Sequence, residues 1–146
     1  MEQRLDFHKA SPAAKKALTT FDGAVGKLGL EPLLLELVKP RASQINGCAF
    51  CVDMHTAEAR KMGETERQPS ALPIWHETPL FTPRERAALG WTEAITLLTS
   101  SPAPDAEYAA LRTHFRESEA VNLTLAISLI NTSNRLSVGF RKTLSA

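Results

Sequence analysis

Apolar residues recur every three or four positions along most of this chain, the period of an amphipathic helix. Ala14, Leu18, Phe21, Val25 and Leu28 form the first stripe, ending near Gly29. Ser11 is a natural N-cap for it, with Pro12 at the first helical position. Leu33, Leu34, Leu37 and Val38 form the second stripe, which starts at Glu31-Pro32. Pro40 lies inside that helix and cannot donate to the carbonyl of Glu36, which predicts a kink. Asn46-Gly47 breaks the pattern, and a third helix is predicted from about Cys48 to Met62, closed by Gly63. From Glu66 to His76 the apolar Leu72, Ile74 and Trp75 are interleaved with Pro69 and Pro73, as in a short irregular helix. Thr82-Pro83-Arg84-Glu85 combines an N-cap, an early proline and a capping-box glutamate. The helix it opens carries Ala87, Ala88, Trp91, Ala94, Ile95 and Leu98 inward. Asp105 opens a sixth helix through Tyr108, Leu111 and Phe115, and the last is predicted from Glu119 to about Leu144. Residues 1–10 read as a loose arm. The pattern predicts an all-α bundle of about six to seven helices, without internal repeats.

Composition narrows the class of protein. The chain has 146 residues, 43% hydrophobic and 23% charged, which fits one domain over residues 1–146 with a single core. A net charge of +1 gives no footprint for nucleic acid or an anionic membrane. No stretch approaches the roughly 20 apolar residues of a membrane span. Val121 to Ile130 comes nearest and is interrupted by Asn122, Thr124 and Ser128. The first ten residues hold no apolar run of the secretory kind, so the expectation is a cytoplasmic protein. In a reducing compartment, a close cysteine pair is more often catalytic or metal-binding than structural.

Both cysteines lie in that central region, as Cys48-x-x-Cys51, with His55 four residues later and Glu36 twelve residues earlier. On a helix, positions 48, 51 and 55 share one face. With Asn46 as N-cap, both thiols fall near the positive end of the helix, which favours thiolate over thiol. If the second and third helices form a tight antiparallel hairpin, Glu36 and His55 lie roughly 15 Å and 13.5 Å from its turn. The two side chains can then meet at one level. A Glu–His pair beside a thiol is a proton relay, with glutamate orienting the imidazole that takes the proton. Zinc is the competing use of a Cys-x-x-Cys, but a structural site needs four ligands and only His55 follows nearby. His8, His76 and His114 would have to come from afar, so neither metal nor cofactor is expected.

The pattern Glu36-x11-Cys48-x2-Cys51-x3-His55, within RASQINGCAFCVDMH, resembles the core of alkylhydroperoxidase AhpD-like proteins of the carboxymuconolactone decarboxylase superfamily. GETERQ, TPRERAAL-WTEAIT and NRLSVGFR extend the likeness over roughly residues 30–141. It implies an AhpD-like helical bundle and a homo-oligomer, usually a trimer or hexamer. It also implies thiol peroxidase activity on a small hydroperoxide, reset by an external dithiol reductant. By the motif, Glu36, Cys48, Cys51 and His55 are the catalytic set. Cys51, the only cysteine with His55 at i+4, is expected to attack the peroxide, and Cys48 to resolve. The alternative is a relative on the same fold without peroxidase activity: a disulfide reductase, a lactone decarboxylase type or a stress-related binding protein. Decarboxylase members generally lack the cysteine pair. The sequence departs from the better-known peroxidases at Phe50, where those carry a histidine, and at Pro40.

Overall fold

The computed structural model describes residues 2–65 and 67–144. Among them are eight α-helices, one 3-10 segment and no strand. In chain order the helices are α1 (Phe7–Ala10), α2 (Pro12–Val25), α3 (Pro32–Ile45), α4 (Ala49–Lys61), α5 (Arg67–Ala71), α6 (Pro83–Thr96), α7 (Asp105–His114) and α8 (Glu117–Gly139). The 3-10 segment, Leu72–Glu77, follows α5 directly. The expected irregular helix is therefore this pair of short elements; its expected first residue, Glu66, lies outside the described residues.

The predicted helix starts follow local chemistry. Ser11 accepts from the Ala14 amide at the head of α2, and Thr82 and Glu85 close a reciprocal capping box at the head of α6. The main core gathers the inward stripes of five helices, with Val25, Leu34, Val38, Ala88, Leu111, Leu123 and Ile127 almost fully buried. A second cluster packs Leu72, Trp75 and Phe81 onto Leu37 of α3 and Leu89 of α6. Glu93 of α6 ties that corner together, accepting from the Trp75 indole at 2.7 Å and from Arg41 of α3 at 2.9 Å. Burial pushes the Glu93 carboxyl up, but bonds from Trp75 and the charge of Arg41 outweigh it and hold it below its ordinary value.

Four expectations need correction. The arm expected over residues 1–10 is not loose over residues 4–10: Asp6 caps α1, the Arg4 amide donates to the Phe140 carbonyl, and Phe7 packs on Phe140. Sequence periodicity could not see this, because the partner lies at the other end of the chain. The last helix starts two residues early, at Glu117, and stops at Gly139 rather than near Leu144. Ala14 and Leu98 face outward rather than into the core. Asn46 is not the N-cap of α4; it ends α3, and Cys48 is the cap. Despite Pro40, α3 runs unbroken to Ile45, with the proline itself buried.

Several polar side chains of the apolar α8 are engaged. Asn122 donates to the Leu28 carbonyl, and Thr124 accepts from the Trp91 indole. Asn131 and Asn134 serve the turn that carries the cysteines. The Asn46 amide donates to both, at 3.0 and 2.9 Å, and the Asn134 amide donates to Ser43 Oγ at 2.9 Å. Buried polar groups this well matched fix one geometry, because any slip leaves donors unpaired. No helix among the described residues is long and apolar enough to cross a membrane.

Candidate active site

The turn between α3 and α4 sets the site. The Cys48 amide donates to the Ser43 carbonyl and the Gly47 amide to that of Gln44, the two bonds of a Schellman turn. Such a turn needs a left-handed residue, and Gly47 supplies it at φ 68°. Cys48 thus finishes one helix and caps the next, its Sγ accepting from the Cys51 amide at 3.3 Å. The two cysteines are joined in a disulfide. Both are buried, in an apolar cluster with Ala42 and Ile130 and with Phe50 packed against it.

One level along the hairpin, Glu36 of α3 meets His55 of α4. The carboxylate Oε2 lies 2.8 Å from His55 Nδ1, and both side chains are buried. The equal spacing of the two residues from the turn is what brings them level. On its other oxygen, Glu36 accepts from Lys39 at 3.3 Å. Burial pushes the Glu36 carboxyl up, yet the bond and charge from His55, with Lys39, more than offset it and hold it below its ordinary value. The residue is an anion at neutral pH.

A cavity of about 490 Å³ opens onto this pair. Glu36, Cys51 and His55 all line it, together with Phe50, Met54 and Ile130. Cys48 does not; it lines a separate cleft of about 540 Å³ with Gln44, Asp53, Thr56 and Arg60. Asp53 and Arg60 are exposed. His76 and His114 are also exposed and line neither cysteine cavity, with His76 Nε2 3.5 Å from Glu93. His8, on the arm, lines the Cys51 cavity. Among the described residues no group of three or more His, Cys, Asp or Glu side chains is arranged to hold a metal ion.

Phe50 was legible only as a missing histidine. In the structure its ring carries Lys142 of the C-terminal segment, with Nζ 3.9 Å from the ring centroid. The sequence offered no signal for that contact, or for the place of His8 in the same wall.

Fold and site define an all-α dithiol protein in which a cysteine pair at a helix start faces a buried glutamate–histidine pair. The sequence profile of the carboxymuconolactone decarboxylase family matches residues 12–94. The chain belongs to that family, and within it is AhpD-like. The uncharacterized protein YdfG of Bacillus subtilis (strain 168) is 41% identical over 138 residues, covering 94% of each chain. A crystal structure of an Agrobacterium tumefaciens protein of unknown function, proposed to be an antioxidant defence protein AhpD, superposes with a TM-score of 0.97. That pair is 45% identical, and the match covers 99% of both chains. Alkyl hydroperoxide reductase AhpD of Hyphomonas neptunium is 45% identical over 47 residues, 32% of this chain and 26% of that protein.

Proposed function

We propose that this protein is a thiol-dependent hydroperoxide reductase in which Cys51 attacks the peroxide. The observation that carries the reading is the shared cavity of Cys51, His55 and Glu36. Glu36 accepts the Nδ1 proton of His55, leaving Nε2 as the basic nitrogen. That nitrogen takes the Cys51 proton, and the start of α4 favours the resulting thiolate. The thiolate attacks one peroxide oxygen, the O–O bond breaks, and the departing alkoxide leaves as alcohol with the proton returned by His55. Cys51 is then a sulfenic acid. The Cys48 thiol condenses with it, water leaves, and the disulfide forms. An external dithiol supplies the two electrons and two protons that restore the pair. The separate cleft at Cys48 supports attack of that reductant there, with Cys51 as the leaving thiolate.

The test is a thiol titration of the reduced protein before and after one equivalent of a small alkyl hydroperoxide. Both thiols should disappear together with one equivalent of peroxide. Thiols that survive the exposure would rule the reading out.

The resemblance to AhpD-like proteins also supports a homo-oligomer, a trimer or hexamer. Tyr108 of α7 with Val121 and Leu125 of α8 form an exposed apolar strip beside a depression of about 510 Å³. A second copy of the chain is the occupant we assign to it, because an exposed apolar patch of this kind marks an association surface. Sedimentation at micromolar concentration should give a multiple of 16.0 kDa, and a monomer would contradict the assignment.

A further inference from the structure

The Cys51 cavity contains a cation that the proposed chemistry does not use. Lys142 lines it, and the end of α8 places it there. The Lys142 amide donates to the Ser137 carbonyl and the Arg141 amide to that of Val138, a third Schellman turn. In the other two, after α3 and α4, the left-handed position is Gly47 at φ 68° and Gly63 at φ 91°. Here it is Arg141 at φ 52°, a strained choice for a residue with a side chain. The turn reverses the chain, and the Lys142 ammonium comes to rest over Phe50. It lies 5.6 Å from the Phe7 ring centroid and 3.3 Å from His8 Nε2.

The acids of the cavity are already engaged. Lys39 pairs with Glu36 at 3.3 Å and with Asp22 at 3.9 Å, His55 holds the other Glu36 oxygen, and Lys61 pairs with Glu58 at 2.6 Å. No ion pair joins Lys142 to a carboxylate among the described residues. Asp6 acts on it only through space and pairs with Lys9, while Lys15 adds a further positive charge nearby. Burial, with Lys15, pushes the Lys142 ammonium below its ordinary value. His8 serves Lys142 as an acceptor and offers the cavity no donor. With Lys142 donating to Nε2, the neutral ring carries its proton on Nδ1, which is buried and has no partner. A half-buried ammonium thus stands at one wall with the neutral His8 Nε2 as its acceptor and no carboxylate paired with it. Leu18, Phe50, Met54, Leu129 and Ile130 give the cavity an apolar part, beside the polar Thr19, Ser133 and Ser137.

We propose that the cavity binds an organic hydroperoxide bearing a carboxylate, with Lys142 holding the carboxylate while the peroxide meets Cys51. One monocation matches a single negative charge, and the apolar part of the wall matches a hydrocarbon body of the size such cavities accept. This assignment rests on Cys51 being the peroxide-reactive thiol, so it needs a test that can fail separately.

Two hydroperoxides of the same shape serve: cumene hydroperoxide and its para-carboxylated analogue. A charge-assisted contact predicts that the wild-type protein prefers the acid by about tenfold or more in kcat/KM. Lys142→Met should bring that ratio near unity, while Lys142→Arg should retain most of it. A wild-type ratio near unity, or a preference that survives in Lys142→Met, overturns the proposal. Binding is measured independently, with para-isopropylbenzoate and the oxidised, disulfide-bonded protein by ligand-observed NMR. The acid should bind the wild type and Lys142→Arg, and bind Lys142→Met at least about tenfold more weakly. Acid binding with this pattern but no consumption of either hydroperoxide would uphold the anion site and refute the peroxidase reading. Consumption of both without acid binding would refute the anion site alone.

Discussion

His55→Asn should slow oxidation of the reduced protein by hydroperoxide by about 10²–10⁴-fold, the usual contribution of a positioned base. Asparagine keeps a polar side chain of similar reach but cannot take a proton. Glu36→Gln should cost less, about 10–100-fold, because it removes the charge that orients and strengthens the base but leaves the base itself. The pH profile separates chemistry from damage to the fold. With the base gone, thiolate forms only as pH rises toward the ordinary cysteine pKa of about 8.5, so the residual rate of His55→Asn should climb through that range. Stopped-flow measurement of thiol loss across pH reads both effects. A His55→Asn rate within about threefold of wild type would remove the imidazole from the mechanism, being far below the contribution of a positioned base.

The two variants are expected to differ in stability as well as in rate. Glu36 is an anion held below its ordinary carboxyl value by His55 and Lys39, so the native state resists its protonation. Stability from this source is present above the ordinary carboxylate pKa and is lost as pH falls through the lower native value. A rate defect in Glu36→Gln measured near neutral pH therefore tests the relay, while acid unfolding tests the buried pair.

What the sequence made legible was local or symmetric. Ser11-Pro12 and Thr82-Pro83-Arg84-Glu85 carry their own capping partners within three residues, so those helices begin where the pattern says. Glu36 and His55 could be matched across the hairpin because one rise per residue applies on both sides of a short turn. Gly47 marked that turn, since its left-handed backbone has few other occupants.

What stayed hidden depends on partners far along the chain. Asn46 looked like a cap because its neighbours were read one helix at a time; its amide is committed instead to Asn131 and Asn134 of α8. Cys48 then takes the capping role, which leaves both thiols in the first turn of α4. The first ten residues show no strong period, yet Arg4 and Phe7 dock on Gly139 and Phe140, and Phe7 and His8 line one side of the cavity. The early end of α8 was masked because Arg141 fills a place where glycine would have signalled the stop. Phe50 shows the limit of reading a site by its motif alone: its substitution for histidine marked an absence, and only the fold reveals that its ring supports Lys142.

The roles we propose for the two cysteines are unequal. A base is worth more than a helix terminus, which contributes about 0.3–1 kcal/mol when exposed. Cys51 shares its cavity with His55 and Glu36, whereas Cys48 opens to a different cleft. The decisive measurement is intact-protein mass spectrometry of Cys48→Ser and Cys51→Ser after one equivalent of hydroperoxide, with a sulfenic-acid trap present. Cys48→Ser should gain the trapped sulfenic acid on Cys51 rapidly and stop there, lacking a thiol to close the disulfide. Cys51→Ser should remain largely unmodified over the same interval. Rapid trapping on Cys48 in the Cys51→Ser variant, with Cys48→Ser inert, would contradict the assignment and place the attacking thiolate in the other cleft.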